Sequence, residues 1–273
     1  SLDASAVTET GSTSYSAELT GLQSGTDYEV RALAGGSEGE AYSFQTETIV
    51  TLPNMNFDTW TQSGKTWYPN PVADNYDDPQ AYWATGNQGV TSVGNRDSNV
   101  MPVEGTDAYK GKAVKMQTIE PMTLVGAAAG NIFIGKYKTN VGNPASSPSF
   151  GRPYSGARPT KLSGYYKYKS MPISNDGTVP GNLKTDQCHI YFKLWNASGQ
   201  EIAYGEFVGS ETVTAYTKFE FDIEYSDTES KPATITIVAT SSKYGGEFNG
   251  LKVVGQVGSG STLWVDEFEL GYE

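Results

Sequence analysis

The chain has 273 residues, with 19 basic against 31 acidic side chains and a formal net charge of −12. That balance opposes binding to phosphate backbones and anionic membranes, and no run approaches the roughly 18 apolar residues of a membrane-spanning helix, so nucleic acid and a helical membrane span are both excluded as expectations. The single cysteine, Cys188, rules out an intramolecular disulfide and a thiolate metal cluster.

Glycine, tyrosine, serine and threonine are abundant and only 18% of residues are charged, a composition suited to strands and turns. Residues 15–47 hold three alternating segments, "YSAEL", "DYEVRALA" and "AYSFQTET", divided by the turns "TGLQSGT" and "GGSEGE"; "LDASAVTET" is a fourth candidate ahead of them. The stretch "AELTGLQSGTDYEVRALA" resembles the E to F corner of fibronectin type III domains, in which Tyr28 would be the corner tyrosine. A full domain of that type has about seven strands, so residues 1–49 are expected to be a partial Ig/fibronectin III-like domain, cut short or reduced, with no ligand assigned.

"ETIVTLPN" reads as the connection to a second domain over residues 50–273. Its strand candidates are "KAVKMQT", "NIFIGKYK", "LSGYYKYKS", "QCHIYFKLWN", "EIAYGEFVG", "KFEFDIEYS", "ATITIVATSS" and "STLWVDEFEL". "TLVGAAAG" is the nearest approach to a helix, and its glycines and short length favour loop or strand. Eight strands without intervening helices predict an all-β fold, a two-sheet antiparallel jelly-roll sandwich.

Within "QCHIYFKLW", Cys188, Ile190, Phe192 and Leu194 make an apolar face, while His189, Tyr191, Lys193 and Trp195 mix rings with polar groups on the other. Sugars present apolar ring faces and hydroxyl edges, so flat aromatics beside a few fixed donors suit them. The competing reading is polar packing under loops. Trp67, Trp83 and Asn87 fall in an aromatic, loop-like region that either plugs the sandwich or forms a ligand platform. Arg152 and Tyr154 of "GRPYSG" could fix a carboxylate or vicinal hydroxyls, or the arginine could be structural.

In "LWVDEFEL", strict alternation puts Trp264, Asp266, Phe268 and Leu270 on one face. A buried carboxylate needs compensation, by a hard cation such as Ca²⁺ or by backbone amides. The ending aromatic-Val-Asp-Glu-Phe-x-Leu and the opening "NMNFDTW" resemble those of jelly-roll carbohydrate-binding modules. That resemblance implies a structural calcium where the two ends meet, held by Asp266 with Asn54 and Asp58 as weaker ligands.

From about residue 53 onward, "YWATGNQG", "AVKMQT", "NIFIGKYK", "FGRPYSGARPTKLSGYYKYK", "YGEF", "FDIEYS" and "SSKYGGEFNGLKVVGQVGSGSTLWVDEFEL" together are similar to the family called the putative carbohydrate metabolism domain. The resemblance implies an Ig-like domain before a jelly roll, and export to the periplasm or outer-membrane surface of a Gram-negative bacterium. No charged-then-apolar leader stands before Ser1, so any targeting segment is removed or was never there, and the resemblance leaves room for a lipid anchor upstream of Ser1. Three functions follow as expectations: a non-catalytic glycan-binding protein; a glycoside hydrolase, which needs two carboxyl groups roughly 5 to 10 Å apart, with Glu206 the first candidate and Asp58 the next; and an adhesion or scaffold protein.

Overall fold

In the computed structural model, which describes residues 7–12 and 14–272, each candidate strand within those residues forms, in whole or in part, and the ladders are antiparallel. Residues 2–6 of "LDASAVTET" lie outside the described residues. Contacts divide the chain into two units, Ser1–Thr51 and Leu52–Glu273.

The first unit is three two-stranded ribbons: Val7–Gly11 with Ser14–Ala17, Asp27–Val30 with Tyr42–Gln45, and Leu33–Ala34 with Ser37–Glu38. Tyr28 stacks on Phe44 with ring centroids 5.8 Å apart, and its hydroxyl accepts the amide hydrogen of Gln23 at 2.8 Å. Leu33, Tyr15 and Tyr42 stand largely in solvent.

The second unit is the sandwich. Its strands are β1 (Trp83–Thr85), β2 (Val100–Glu104), β3 (Lys112–Gln117), β4 (Asn131–Tyr137), β5 (Pro148–Phe150), β6 (Arg152–Pro153), β7 (Lys161–Lys169), β8 (Cys188–Asn196), β9 (Glu201–Gly209), β10 (Val213–Asp222), β11 (Glu224–Tyr225), β12 (Pro232–Thr240) and β13 (Thr262–Gly271). One sheet runs β2-β3-β13-β7-β10, and the larger runs β5-β4-β12-β8-β9-β11, with β1 on β4 and β6 on β12.

Between them lies the core that the alternation predicts. Cys188, Ile190, Phe192 and Leu194 of β8 are fully buried, and Tyr166, Phe207 and Phe219 join the two sheets through ring contacts of 4.8 to 6.3 Å. Burying each such side chain contributes about 1.5–3 kcal/mol. Burial also pushes the Cys188 thiol up to about 12, so this sulfur stays protonated and acts as a packing group.

Two of the sandwich's register shifts break the period-2 reading at expected site residues. On β13, Tyr165 pairs with Asp266 but Ser163 pairs with Glu269, and Glu267 takes a left-handed φ of 47°. The extra residue shifts the strand's faces. Leu263 and Val265 before the bulge, and Phe268 and Leu270 after it, oppose the inner positions of β7, whereas Trp264 and Asp266 point away from the core, Asp266 still fully buried against the Tyr109 and Lys110 amides. Asp266 therefore does not share a face with Phe268 and Leu270, contrary to strict alternation. On β9, Leu194 pairs with Ala203 while Trp195 pairs with Glu201. Ile202 is absorbed in the bulge, and Glu201 emerges on the same face as Lys193 and Tyr204.

Candidate functional site

The outward face of the larger sheet floors a cleft of about 670 Å³. Strand β8 supplies His189, Tyr191 and Lys193, β9 supplies Glu201 and Tyr204, and Lys243 follows β12. This is the ring-and-donor face expected of "QCHIYFKLW", opened rather than sealed by loops: Tyr191 and Lys193 are half-buried, while His189 is 9% exposed.

The side chains hold each other in place. The His189 and Tyr191 rings lie 4.8 Å apart and the Tyr191 and Tyr204 rings 6.4 Å apart. The Lys193 ammonium sits 5.3 Å from the Tyr204 centroid and donates to Glu201 at 2.8 Å. Glu206, opposite Tyr191 on β9, accepts from His189 Nε2 at 2.7 Å and from Lys243 Nζ at 3.1 Å on the same oxygen. Tyr191 packs against the buried cluster of Ala84, Phe133 and Val238, its cross-strand neighbours on the same face of the sheet.

Electrostatics set the protonation states. Burial, aided by the charge of Lys243, lowers the His189 pKa to about 4 against the opposing pull of Glu206. Burial works to raise Glu206, but hydrogen bonds from Lys243 and Tyr204 and the charge of Lys243 outweigh it and hold the carboxyl below the usual range. Glu206 is thus an acceptor only, so the neutral imidazole carries its proton on Nε2. Burial pushes the Tyr191 hydroxyl up to about 12, keeping it a neutral donor.

A direct check exists because His189 is the only histidine. Its NMR titration is expected to show no protonation between pH 8 and 5 and a midpoint near 4. The folded-state value lies below the unfolded value of about 6.5, so this group's stabilisation is complete above pH 6.5 and is lost as pH falls towards 4. A midpoint near 6.5 would contradict the buried pairing.

The remaining expected site residues lie elsewhere. Trp83 is fully buried, in edge contact with Phe57 at 5.2 Å, and its indole N–H donates to the Pro53 carbonyl at 2.8 Å; it plugs the core and presents no ligand surface. Asn87 is also fully buried, donating to the Trp67 and Val100 carbonyls at 2.8 Å and accepting from the Val100 amide, so it stitches a loop to β2. Trp67 is half-buried against Trp60 and lines no part of the cleft. Arg152 is buried and donates to the Ala81 carbonyl, and the buried Tyr154 hydroxyl donates to the Ala157 carbonyl; both are structural. Trp195 shares the face of β8 but stands outside the cleft, packed over Gly151, where an added Cβ would lie 3.5 Å from the indole.

The two ends of the sandwich do meet, through Phe57 against Phe268 at 5.0 Å and the Phe268 amide donating to the Met55 carbonyl at 2.9 Å. The calcium expectation does not fit the groups around them. Asp266 accepts the amides of Tyr109, Lys110 and Glu267 at 2.8–3.1 Å. Asp58 accepts the Lys112 amide at 2.7 Å and the Asn56 side chain at 2.7 Å, and Asn54 braces Thr59 and Pro69. Each candidate ligand faces hydrogen-bond donors or closes its own loop, and no group of three or more metal-binding side chains occurs among the described residues. A cation needs converging acceptors. Asp58 is also remote from the hydrolytic role considered for it, because it does not line the cleft.

Glu201 and Lys243 were not predicted from sequence. Alternation along β9 puts Glu201 inward, and only the bulge turns it out; Lys243 reaches Glu206 across 37 residues of sequence.

A family model described as "Putative carbohydrate metabolism domain" matches residues 56–271. No protein of curated function matches the sequence. Among solved structures, a putative glycoside hydrolase from Bacteroides thetaiotaomicron VPI-5482 is similar at 23% identity and a TM-score of 0.65, over 91% of this chain and 79% of that one. Another, from Bacteroides vulgatus ATCC 8482, is similar at 23% identity and a TM-score of 0.62, over 80% of this chain and 97% of that one. Identity at this level speaks to the fold.

Proposed function

The chain belongs to the family described as "Putative carbohydrate metabolism domain", and on that premise we propose that it binds an oligo- or polysaccharide in the cleft of the larger sheet without cleaving it. The observation that carries the reading is the fixed row of His189, Tyr191 and Tyr204 rings flanked by Lys193, Glu201 and Lys243. Rings of this kind offer stacking faces to a sugar's C–H patches, and the charged groups offer donors and acceptors to its hydroxyls. The same reading takes the protein to work outside the cytoplasm of a Gram-negative cell, which fractionation of the source organism would test.

Glu206, the first candidate for a hydrolase's acid, does not line the cleft and is unsuited to that role. A glycosidase needs one carboxyl kept protonated to serve as the acid, whereas Glu206 is held ionised by Lys243 and Tyr204 and hydrogen-bonded to His189. Screening a glycan array with the protein and with Tyr191→Ala tests the reading. The variant is expected to lose about 1–3 kcal/mol of affinity for the selected glycan, the range found for aromatic stacking on planar ligands. Equal affinity in the two proteins would remove the platform, and release of shortened glycan on prolonged incubation would replace binding with hydrolysis.

A further inference from the structure

The cleft has two chemically different walls. The first is the strand-borne row of rings and charges just described. The second is carried by loops: the helical turn Gly89–Val93 contributes Val90 and Val93, the hairpin turn joining Ile119–Met122 to Gly126–Ala128 contributes Met122, Leu124 and Val125, and the loop after β4 contributes Val141. All six are saturated side chains; Leu124 and Val141 are exposed, whereas Val90 and Met122 are buried. They provide no flat face for a sugar ring and no partner for a hydroxyl.

Solvent contact with apolar side chains is concentrated in this cleft. Among the described residues of the sandwich, six large apolar side chains are exposed, and three of them, Leu124 at 40%, Val141 at 49% and Phe150 at 45%, line this one cleft. Leu124 also sits at φ 72°, a left-handed conformation that a bulky residue rarely adopts and that asparagine or aspartate would hold at lower cost. Exposed apolar side chains gathered in one cleft, rather than scattered singly, mark a surface for a ligand to cover.

We infer that the saccharide bound in this cleft carries an apolar substituent, a saturated chain or aglycone, which lies on the Leu124 and Val141 wall while the sugar lies on the Tyr191 and Tyr204 row. The sugar half of this inference rests on the proposed function. Saturated hydrocarbon is what such a wall removes from water most favourably.

The test is calorimetric titration with methyl and octyl glycosides of glucose, galactose, mannose and N-acetylglucosamine, each below its micellar concentration. Octyl glycosides are expected to bind about 50-fold or more tightly than their methyl counterparts, the factor for burying roughly three methylenes. The double variant Leu124→Asp, Val141→Asp is expected to abolish that gain with its melting temperature intact, since both side chains are exposed. Equal affinity of octyl and methyl glycosides, no binding of any octyl glycoside, or a gain that survives the double variant would each overturn the inference. Tyr191→Ala separates the two readings. It is expected to erase preference among the four sugars while preserving the octyl gain; a gain without any Tyr191-dependent sugar preference would retain the apolar wall and sink the sugar site.

Discussion

Trp83→Ala will cost about 3–5 kcal/mol, the range for truncating a large buried aromatic, a large fraction of a domain's whole stability of about 5–15 kcal/mol. The indole is fully buried and stands at the junction of Phe57, from the opening of the sandwich, and Phe268, from its closing strand, with centroids at 5.2 and 6.5 Å. Removing it opens a cavity where the two termini of the sandwich lock together, and it orphans the Pro53 carbonyl that the indole N–H serves. Trp83→Phe retains a ring and is expected to recover part of the loss. Denaturant midpoints measure both. A Trp83→Ala protein with an unshifted denaturant midpoint and only glycan binding impaired would restore Trp83 to the ligand surface and contradict the packing described.

The second large effect is expected at Asp266. Replacing it with alanine leaves the Tyr109, Lys110 and Glu267 amides without their shared acceptor, a loss of about 1–3 kcal/mol for part-buried hydrogen bonds to a charged group. Chelator is expected to leave the wild-type melting temperature unchanged. A fall on chelation, or a rise on adding calcium, would contradict amide capping as the compensation for this carboxylate.

Titration gives an independent sign. Burial raises Asp266 to about 6, although the three amides pull the other way. The folded carboxyl binds its proton more tightly than the unfolded one, so this residue's contribution to stability is greatest below pH 4 and declines as pH rises towards 6. Relative to Asp266→Asn, whose side chain does not titrate, the wild type is therefore expected to lose stability across that window and to run parallel above it.

The legible and illegible parts of the structure divide along physical lines. Strands such as β8 and β10 could be read because one face is buried and the other solvated: Phe219 is buried while Lys218 and Glu220 are exposed, and period-2 alternation follows directly. The cleft face of β8 could be read for the same reason, and His189, Tyr191 and Lys193 are found together on it. Bulges could not. A single left-handed residue, Glu267, moves Phe268 off the face of Asp266, and the bulge at Ile202 turns Glu201 outward; neither place carries the glycine that usually announces such a break.

The tryptophans misled for a different reason. A ring suited to stacking on a sugar is equally suited to filling a core, and composition does not separate Trp83, buried at the sandwich's seam, from Tyr191, open to the cleft. Polar loop residues are ambiguous in the same way. Asn87 spends its hydrogen bonds on the Trp67 carbonyl and on Val100 of β2, and Arg152 donates to the Ala81 carbonyl, because backbone groups around long connections must be satisfied by side chains.

The measurement that bears most directly on a saccharide site is a crystal structure of the protein with the oligosaccharide selected on the array. The expected electron density lies in the cleft, with a sugar ring over Tyr191 or Tyr204 and its hydroxyls on Lys193, Glu201 or Lys243. Density for the sugar anywhere else, such as beside Trp60 and Trp67, with the cleft left to solvent, would contradict it.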